Sequence, residues 1–247
     1  MSNPGTLFDG LYKDLWRKIV PEALTQVELE FILQVTGLEP GDAVLDLMCG
    51  YGRHTLGLAQ KGIQLTAIDS APEYVEEIRQ AAGDSLPVTA LAARVEDLEL
   101  AQSFDAVICM GNSISSLNKE QTLILFQKVA QYLKPGSVFV LNTWMLTEII
   151  SHKIKEHEWF HIGEYKYLLE NKFHLFPTRL ETTHTIITKD GQMEEKNDTD
   201  FIFSIAEFSE MLKQTGLTLK QVFSTPRKRP FNLGDEYAYL LAVKEEV

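Results

Sequence analysis

Only two cysteines, Cys49 and Cys109, occur among the 247 residues. That scarcity excludes an extracellular disulfide framework and the paired spacing of a structural zinc site. Two reduced, buried thiols in a cytoplasmic protein are the expectation. Long apolar runs are absent too, and a membrane span needs about 20 such residues, so no membrane anchor is expected. The opening MSNPGTLFDG has neither a basic start nor an apolar core, so it does not read as a secretory leader. Positive charge is scarce: 23 lysines and arginines face 35 acidic residues, a net charge of −12. Such a surface repels nucleic acid and anionic membrane. The best local exception, Arg227, Lys228 and Arg229 between Pro226 and Pro230, reads as a solvated turn. His152, His157 and His161 lie close together, but their spacing fits no metal-ligand set and no metal is expected. No internal repeat or low-complexity tract is evident.

What the sequence does have is alternation. Apolar residues at helical spacing predict helices over 7–20 and 21–36, ended by Gly37 and the Pro40-Gly41-Asp42 turn. Short, continuous apolar strands then alternate with helices: strands over 43–47, 64–69, 88–91, 104–110 and 137–142, helices over 53–61, 72–82 and 119–133. Strands of that kind imply a parallel sheet covered on both faces. The pattern then changes. Residues 159–204 read as antiparallel strands, with a hairpin signal at Asp190-Gly191. A helix over 205–215 and strands over 217–223 and 237–243 complete the chain. The expectation is one domain over 1–247, with a helical lead-in (1–40), a core (41–144 and 205–247) and a β-rich roof insertion (145–204).

The informative segment runs from the first strand into Asp46-Leu47-Met48-Cys49-Gly50-Tyr51-Gly52-Arg53-His54. Glycines between a buried strand and a helix let a ligand approach the backbone and expose helix N-terminal amides. A nicotinamide loop would need a third glycine where Thr55 stands. Asp46 would also repel a pyrophosphate, whereas it suits an ammonium or a sulfonium. The second strand ends in Asp69-Ser70. In right-handed βαβ geometry that end lies beside the first loop, where an acid accepts from both hydroxyls of a ribose. Ser70 would be left to cap the helix that follows.

These residues resemble the class I S-adenosylmethionine-dependent methyltransferases. Four blocks appear in that family's order: residues 46–52 as the cofactor loop, Ala67-Ile68-Asp69-Ser70 as the ribose-binding strand end, Phe104-Asp105-Ala106-Val107-Ile108 as the fourth strand, and Leu133-Lys134-Pro135-Gly136-Ser137-Val138 as the turn into the fifth. The resemblance implies an α/β, Rossmann-like, seven-stranded and mostly parallel sheet of order 3-2-1-4-5-7-6, with helices on both faces. It implies S-adenosylmethionine as cofactor, with Asp46, Met48, Gly50 and Gly52 at its methionyl end, Asp69 and Ser70 at the ribose, Val95 and Glu96 beside adenine, and Met110 under the sulfonium. Two positions depart from the family pattern. Met48 stands where glycine is common, and Arg94 stands where an acid commonly meets adenine.

Methyl transfer from a sulfonium is an in-line displacement with an activated leaving group, so no universal catalytic residue is expected. Tyr12, His54 and Asn112 are the candidates for a base, with Ser113 beside Asn112. Trp144, His161, Tyr165 and Arg179 are the candidates for acceptor binding among the aromatic, histidine and arginine residues of the roof, which also include Trp159, Tyr167, His174 and His184. The expected partner is a small-molecule acceptor. A protein or RNA acceptor, or a non-catalytic S-adenosylmethionine-binding module, are the alternatives.

Overall fold

The computed structural model describes residues 9–151 and 153–245. Leu7, Phe8 and His152, named above, lie outside them. Two helices lead in, α1 (Gly10–Ile19) and α2 (Glu22–Thr36). Gly37 ends α2 in the left-handed conformation, at φ 69°, and its N–H returns to the Leu33 carbonyl at 2.9 Å. The alternating section follows as β1 (Ala43–Leu47), α3 (Arg53–Ala59), β2 (Gln64–Asp69), α4 (Pro72–Ala82), β3 (Val88–Ala92), β4 (Phe104–Cys109), α5 (Lys119–Tyr132) and β5 (Leu133–Thr143). A short α6 (Thr147–Ile150) opens the insertion, which holds β6 (His157–Ile162), β7 (Tyr165–Leu175), β8 (Thr178–Ile187) and β9 (Met193–Phe201). The chain returns through α7 (Ile205–Gln214), β10 (Leu217–Phe223) and β11 (Ala238–Lys244).

The large sheet has the order β3-β2-β1-β4-β5-β11-β10. Strands β1 to β5 pair in parallel, and β11 runs antiparallel to both β5 and β10. Counted without the insertion, this is the expected 3-2-1-4-5-7-6. Alternate residues of β1 face opposite cores, as the pleat requires. Leu45 and Leu47 join Val107, Phe126, Phe139 and Phe208 beneath α5 and α7. Val44 joins Leu29, Ile32, Ile108 and Val140 beneath α2 and α3. Each such aliphatic or aromatic side chain contributes about 1.5–3 kcal/mol by leaving water, which is why the central strands read as predominantly apolar runs.

One element differs from the expectation. The fifth strand begins at Leu133, not at Ser137. Leu133 pairs with Phe104 and Val138 with Ala106, so residues 134–137 bulge out of the ladder. Pro135 cannot donate to a ladder, Gly136 takes φ 78°, and Lys134 anchors the bulge on Asp105 at 2.6 Å.

Strands β6-β7-β8-β9 form a separate antiparallel sheet. Its inner face carries Phe160, Tyr167, His184, Asp198 and Asp200, as the pairing register requires. Helix α1 packs under that face: Tyr12 and Leu15 are buried against Tyr167 and Ile186. No helix among the described residues is long and apolar enough to cross a membrane.

Candidate functional site

The site forms where β1, β2 and β4 end side by side. The turn after β1 is left-handed three times over, at Met48 (φ 56°), Gly50 (φ 56°) and Gly52 (φ 78°). Met48 therefore holds a conformation that glycine adopts without strain, and the turn accommodates its side chain against the core beneath α5. The two glycines serve different ends. A Cβ on Gly52 would lie 2.5 Å from Ile78 Cγ1, so that glycine lets α3 close on α4. A Cβ on Gly50 would meet nothing within 4 Å, so this backbone borders open space.

Asp69 links the turn to the second strand. Its Oδ2 accepts from the Gly50 N–H at 2.7 Å and its Oδ1 from the Ala71 N–H at 2.9 Å. Each oxygen keeps a further lone pair. Burial pushes the Asp69 carboxyl up, against the backbone donors that pull it down. Ser70, expected to cap α4, makes no such cap: the N-cap position is Ala71, and its N–H is met by Asp69. Asp46 is only 1% exposed and accepts the Thr55 hydroxyl at 2.6 Å. Burial raises its carboxyl to about 7, with the Asp69 charge adding to the rise and Thr55 and Arg53 opposing it.

Met110 lies buried at the end of β4, and the Ser113 hydroxyl donates to both the Met110 carbonyl (3.0 Å) and the Met48 carbonyl (3.1 Å). Asn112 is satisfied on every side. Its Oδ1 accepts from Thr143 Oγ1 (2.7 Å) and the Trp144 N–H (3.0 Å), and its Nδ2 donates to Ser115 Oγ (2.7 Å). That makes it a fixed corner and not a free base. On the far side, Val95 packs into the core, and Glu96 accepts from Arg94 Nε at 2.6 Å. Arg94 is thus paired with the acid expected beside adenine.

Helix α1 closes over the turn. Lys13 and Arg17 both bond Glu77 of α4, with Lys13 Nζ 5.1 Å from the Tyr74 ring and the Arg17 guanidinium 5.2 Å from the Tyr51 ring. The other end is held by the roof, where Glu194 accepts from the Leu11 and Tyr12 N–H groups at 3.2 and 3.1 Å. Tyr12 then stands between turn and roof, its ring edge-on to His184 at 5.0 Å.

Other candidates fall elsewhere. His54 is buried in a network centred on Glu28. Its Nε2 lies 3.0 Å from Glu28 Oε2, while Tyr239 Oη donates to Glu28 Oε1 at 2.9 Å. Arg53 bonds the same carboxylate. His54 is therefore a tie between α2, α3 and β11, remote from the roof. His161 and Arg179 sit on the outer face of the antiparallel sheet, because side chains alternate along β6 and β8. His161 is exposed beside Trp159, and Arg179 is paired with Glu181 at 2.9 Å. Tyr165 shares the inner parity of β7 with Tyr167 and packs at the edge of the α1 cluster, with Lys18 Nζ 4.5 Å from its ring. Trp144 meets α1, its ring stacked on Trp16 at 6.3 Å. Sequence reasoning missed Asp198, Asp200 and Ser115. Reading the roof strands for their inward positions, two residues apart, would have found the acids.

Residues 44–136 match a family model described as a methyltransferase domain. A ubiquinone biosynthesis O-methyltransferase of Xanthomonas campestris is 38% identical over 124 residues, 49% of this chain. The chain spans about half the length of the curated relatives it matches, 50% in that case. A solved S-adenosylmethionine-dependent methyltransferase from Clostridium acetobutylicum superposes with a TM-score of 0.82 at 19% identity, covering 96% of this chain and 97% of the other. The CcbJ methyltransferase of Streptomyces caelestis superposes with a TM-score of 0.81 at 18% identity, covering 94% and 96%. Residues 44–136 are thus similar to a methyltransferase domain, and the chain as a whole shares the fold of these solved S-adenosylmethionine-dependent methyltransferases.

Proposed function

We propose that this protein is an enzyme that binds S-adenosylmethionine and transfers its methyl group to a small molecule held under the roof. The observation that carries the reading is the pair of buried carboxylates, Asp46 and Asp69, flanking a Gly50 whose free side faces open space. The donor set fits the cofactor. Asp46 and the turn would receive the cationic methionyl end, Asp69 has lone pairs left for two ribose hydroxyls, and Met110 would border the sulfonium. Bound there, the cofactor supplies an activated methyl group. The chain's own share is to align, to cover with α1, and to exclude water. The match to a relative named for ubiquinone biosynthesis supports a small acceptor, and the net charge of −12 disfavours RNA. We read residues 41–144 and 205–247 as the catalytic core and 145–204 as its roof. The unpaired Cys49 and Cys109 suit the cytoplasm.

The test is calorimetric binding of S-adenosylhomocysteine, followed by transfer of a labelled methyl group into a bacterial extract separated by size. Binding and label in the small-molecule fraction are expected. Label confined to macromolecules, or no binding, would reject the reading.

Two further outcomes follow. Asp46 is raised to about 7 and must be ionised to receive an ammonium, so cofactor affinity is expected to rise with pH up to about 7 and then level. Asp46→Asn should abolish the slope, and a flat wild-type profile would show that Asp46 does not meet the ligand. Glu77→Ala frees Lys13 and Arg17 from α4. Two ion pairs of about 0.5 kcal/mol each predict S-adenosylhomocysteine release about fivefold faster in stopped flow. An unchanged rate would show that α1 is not the cover.

A further inference from the structure

The roof and the turn after β4 enclose a second group of acids that cofactor binding does not use. Asp198 and Asp200 lie two residues apart on β9, opposite Thr182 and Leu180 on the inner face. Asp200 Oδ1 accepts the Ser115 hydroxyl, and Asn112 Nδ2 approaches it at 3.5 Å. Both partners belong to the turn in which Ser113 joins Met48 to Met110. Asp200 therefore stands at the joint between the roof and the turns that follow β1 and β4.

We propose that the methyl acceptor is a primary or secondary amine, bound as its ammonium ion by Asp198 and Asp200 and deprotonated by Asp200. The inference rests on the methyl-transfer reading above.

Charge is the first argument. Among the described residues neither carboxylate takes part in an ion pair. Burial pushes both acids up, and the Asp198 charge pushes Asp200 further. Two like charges confined together favour a cation between them. No three histidine, cysteine, aspartate or glutamate side chains among the described residues stand in metal-holding geometry, so an organic cation is the fitting occupant.

His184 is the second, independent argument. It is 7% exposed, and its Nδ1 lies 2.6 Å from Tyr167 Oη. Burial lowers its pKa to about 4 and keeps the Tyr167 hydroxyl protonated, so a neutral imidazole accepts from Tyr167. The proton then sits on Nε2, which is buried with no hydrogen-bond partner. His184 shares the inner face with both acids and lies against Tyr12, whose hydroxyl their charges also raise. A buried donor left unmet costs about 1–3 kcal/mol. An oxygen on the acceptor would satisfy it. This group of side chains thus fits an amine with a hydroxyl or carbonyl oxygen nearby. Tyr12 and the stacked Trp16 and Trp144 supply ring faces that favour a cation.

The chemistry balances. A proton leaves the ammonium for an Asp200 oxygen, and the freed nitrogen lone pair forms a bond to the methyl carbon. The carbon–sulfur bond breaks with its electrons on sulfur. The products are a methylated ammonium and an uncharged thioether, with the proton left on Asp200 to pass to solvent.

The test uses the full chain, S-adenosylmethionine labelled in its methyl group, and the small-molecule fraction of a bacterial extract. Half of that fraction is first treated with N-succinimidyl acetate, which acetylates amines and spares alcohols. Label transfer is expected from the untreated half and to fall to background from the acetylated half. Asp200→Asn is expected to lower transfer about 100-fold, the size of a lost general base, with S-adenosylhomocysteine affinity unchanged. Asp198→Asn is expected to raise the acceptor concentration needed for half-maximal rate about tenfold. Equal labelling of both halves means an oxygen acceptor and overturns the proposal. So does full activity in Asp200→Asn, or an absence of label from either half by a protein that binds S-adenosylhomocysteine. Failure of the unmutated chain to bind S-adenosylhomocysteine would instead bring down the methyl-transfer reading itself.

Discussion

Asp69→Ala is expected to weaken S-adenosylhomocysteine binding at least about 100-fold, because two charge-assisted hydrogen bonds to a ribose are lost at about 1.5–3 kcal/mol each. The loss has a second source. The Gly50 and Ala71 N–H groups both end on this carboxylate, so alanine also unlocks the left-handed turn that must present its backbone to the ligand. Asp69→Asn separates the two effects. Its amide oxygen can still accept from one backbone N–H, but its nitrogen cannot accept from a hydroxyl. An intermediate loss is therefore expected for Asn. Calorimetry on the three proteins decides: affinity in Asp69→Ala within threefold of the unmutated chain would remove Asp69 from the binding site.

Glu28→Ala is expected to cost about 3–5 kcal/mol of stability, the usual result of removing one partner from a buried ion pair. Glu28 is 2% exposed and is the common acceptor for Arg53, His54 and Tyr239. For a chain of this size that loss lowers the melting temperature by about 10 °C. Acid sensitivity is tied to the same group. Burial pushes the Glu28 carboxyl up, but its bonds with His54 and Arg53 outweigh burial and hold it at about 2, below the ordinary 4.5. A depressed carboxyl contributes stability that is complete above about 4.5 and disappears as the pH falls towards 2, an amount of about 3 kcal/mol. His54 adds to the loss from a higher pH, since burial lowers its pKa below the ordinary 6.5 and acid must force a proton onto it. Urea unfolding between pH 3 and 7 should therefore show a steeper acid decline in the unmutated chain than in Glu28→Gln. Parallel curves would deny Glu28 this role.

The core was legible because its strands are short and unbroken. Residues 43–47 and 64–69 read as β1 and β2 to the residue, since a strand buried on both faces is mostly apolar along its length, with the acids Asp46 and Asp69 at or near the C-terminal ends. The turn after β1 was legible for a related reason. Asp46, Gly50, Gly52 and Asp69 are local in sequence, and strand order alone brings their two strand ends together. The fifth strand was misread at its start, because Pro135 and Gly136 mark a bulge as plainly as they mark a turn.

The roof was legible as strands but not as a site. His161 and Arg179 were attractive by residue type, yet a period of two sends each outward, and only the pairing register fixes which parity faces the core. Asp198 and Asp200 had no local signature. Their meaning comes from Ser115 and Asn112, more than 80 positions earlier in the chain.

By itself, then, the amino-acid order determined the α/β core, the strand sequence and the carboxylate-flanked turn, all of which depend on hydrophobic periodicity and on neighbours close along the chain. Tertiary structure alone decided that α1 covers that turn, that Glu28 binds three partners, and that two acids and a histidine converge beneath the roof. Those contacts join segments far apart in sequence, and burial in a shared, water-poor space is what gives such groups their altered charge and their chemistry.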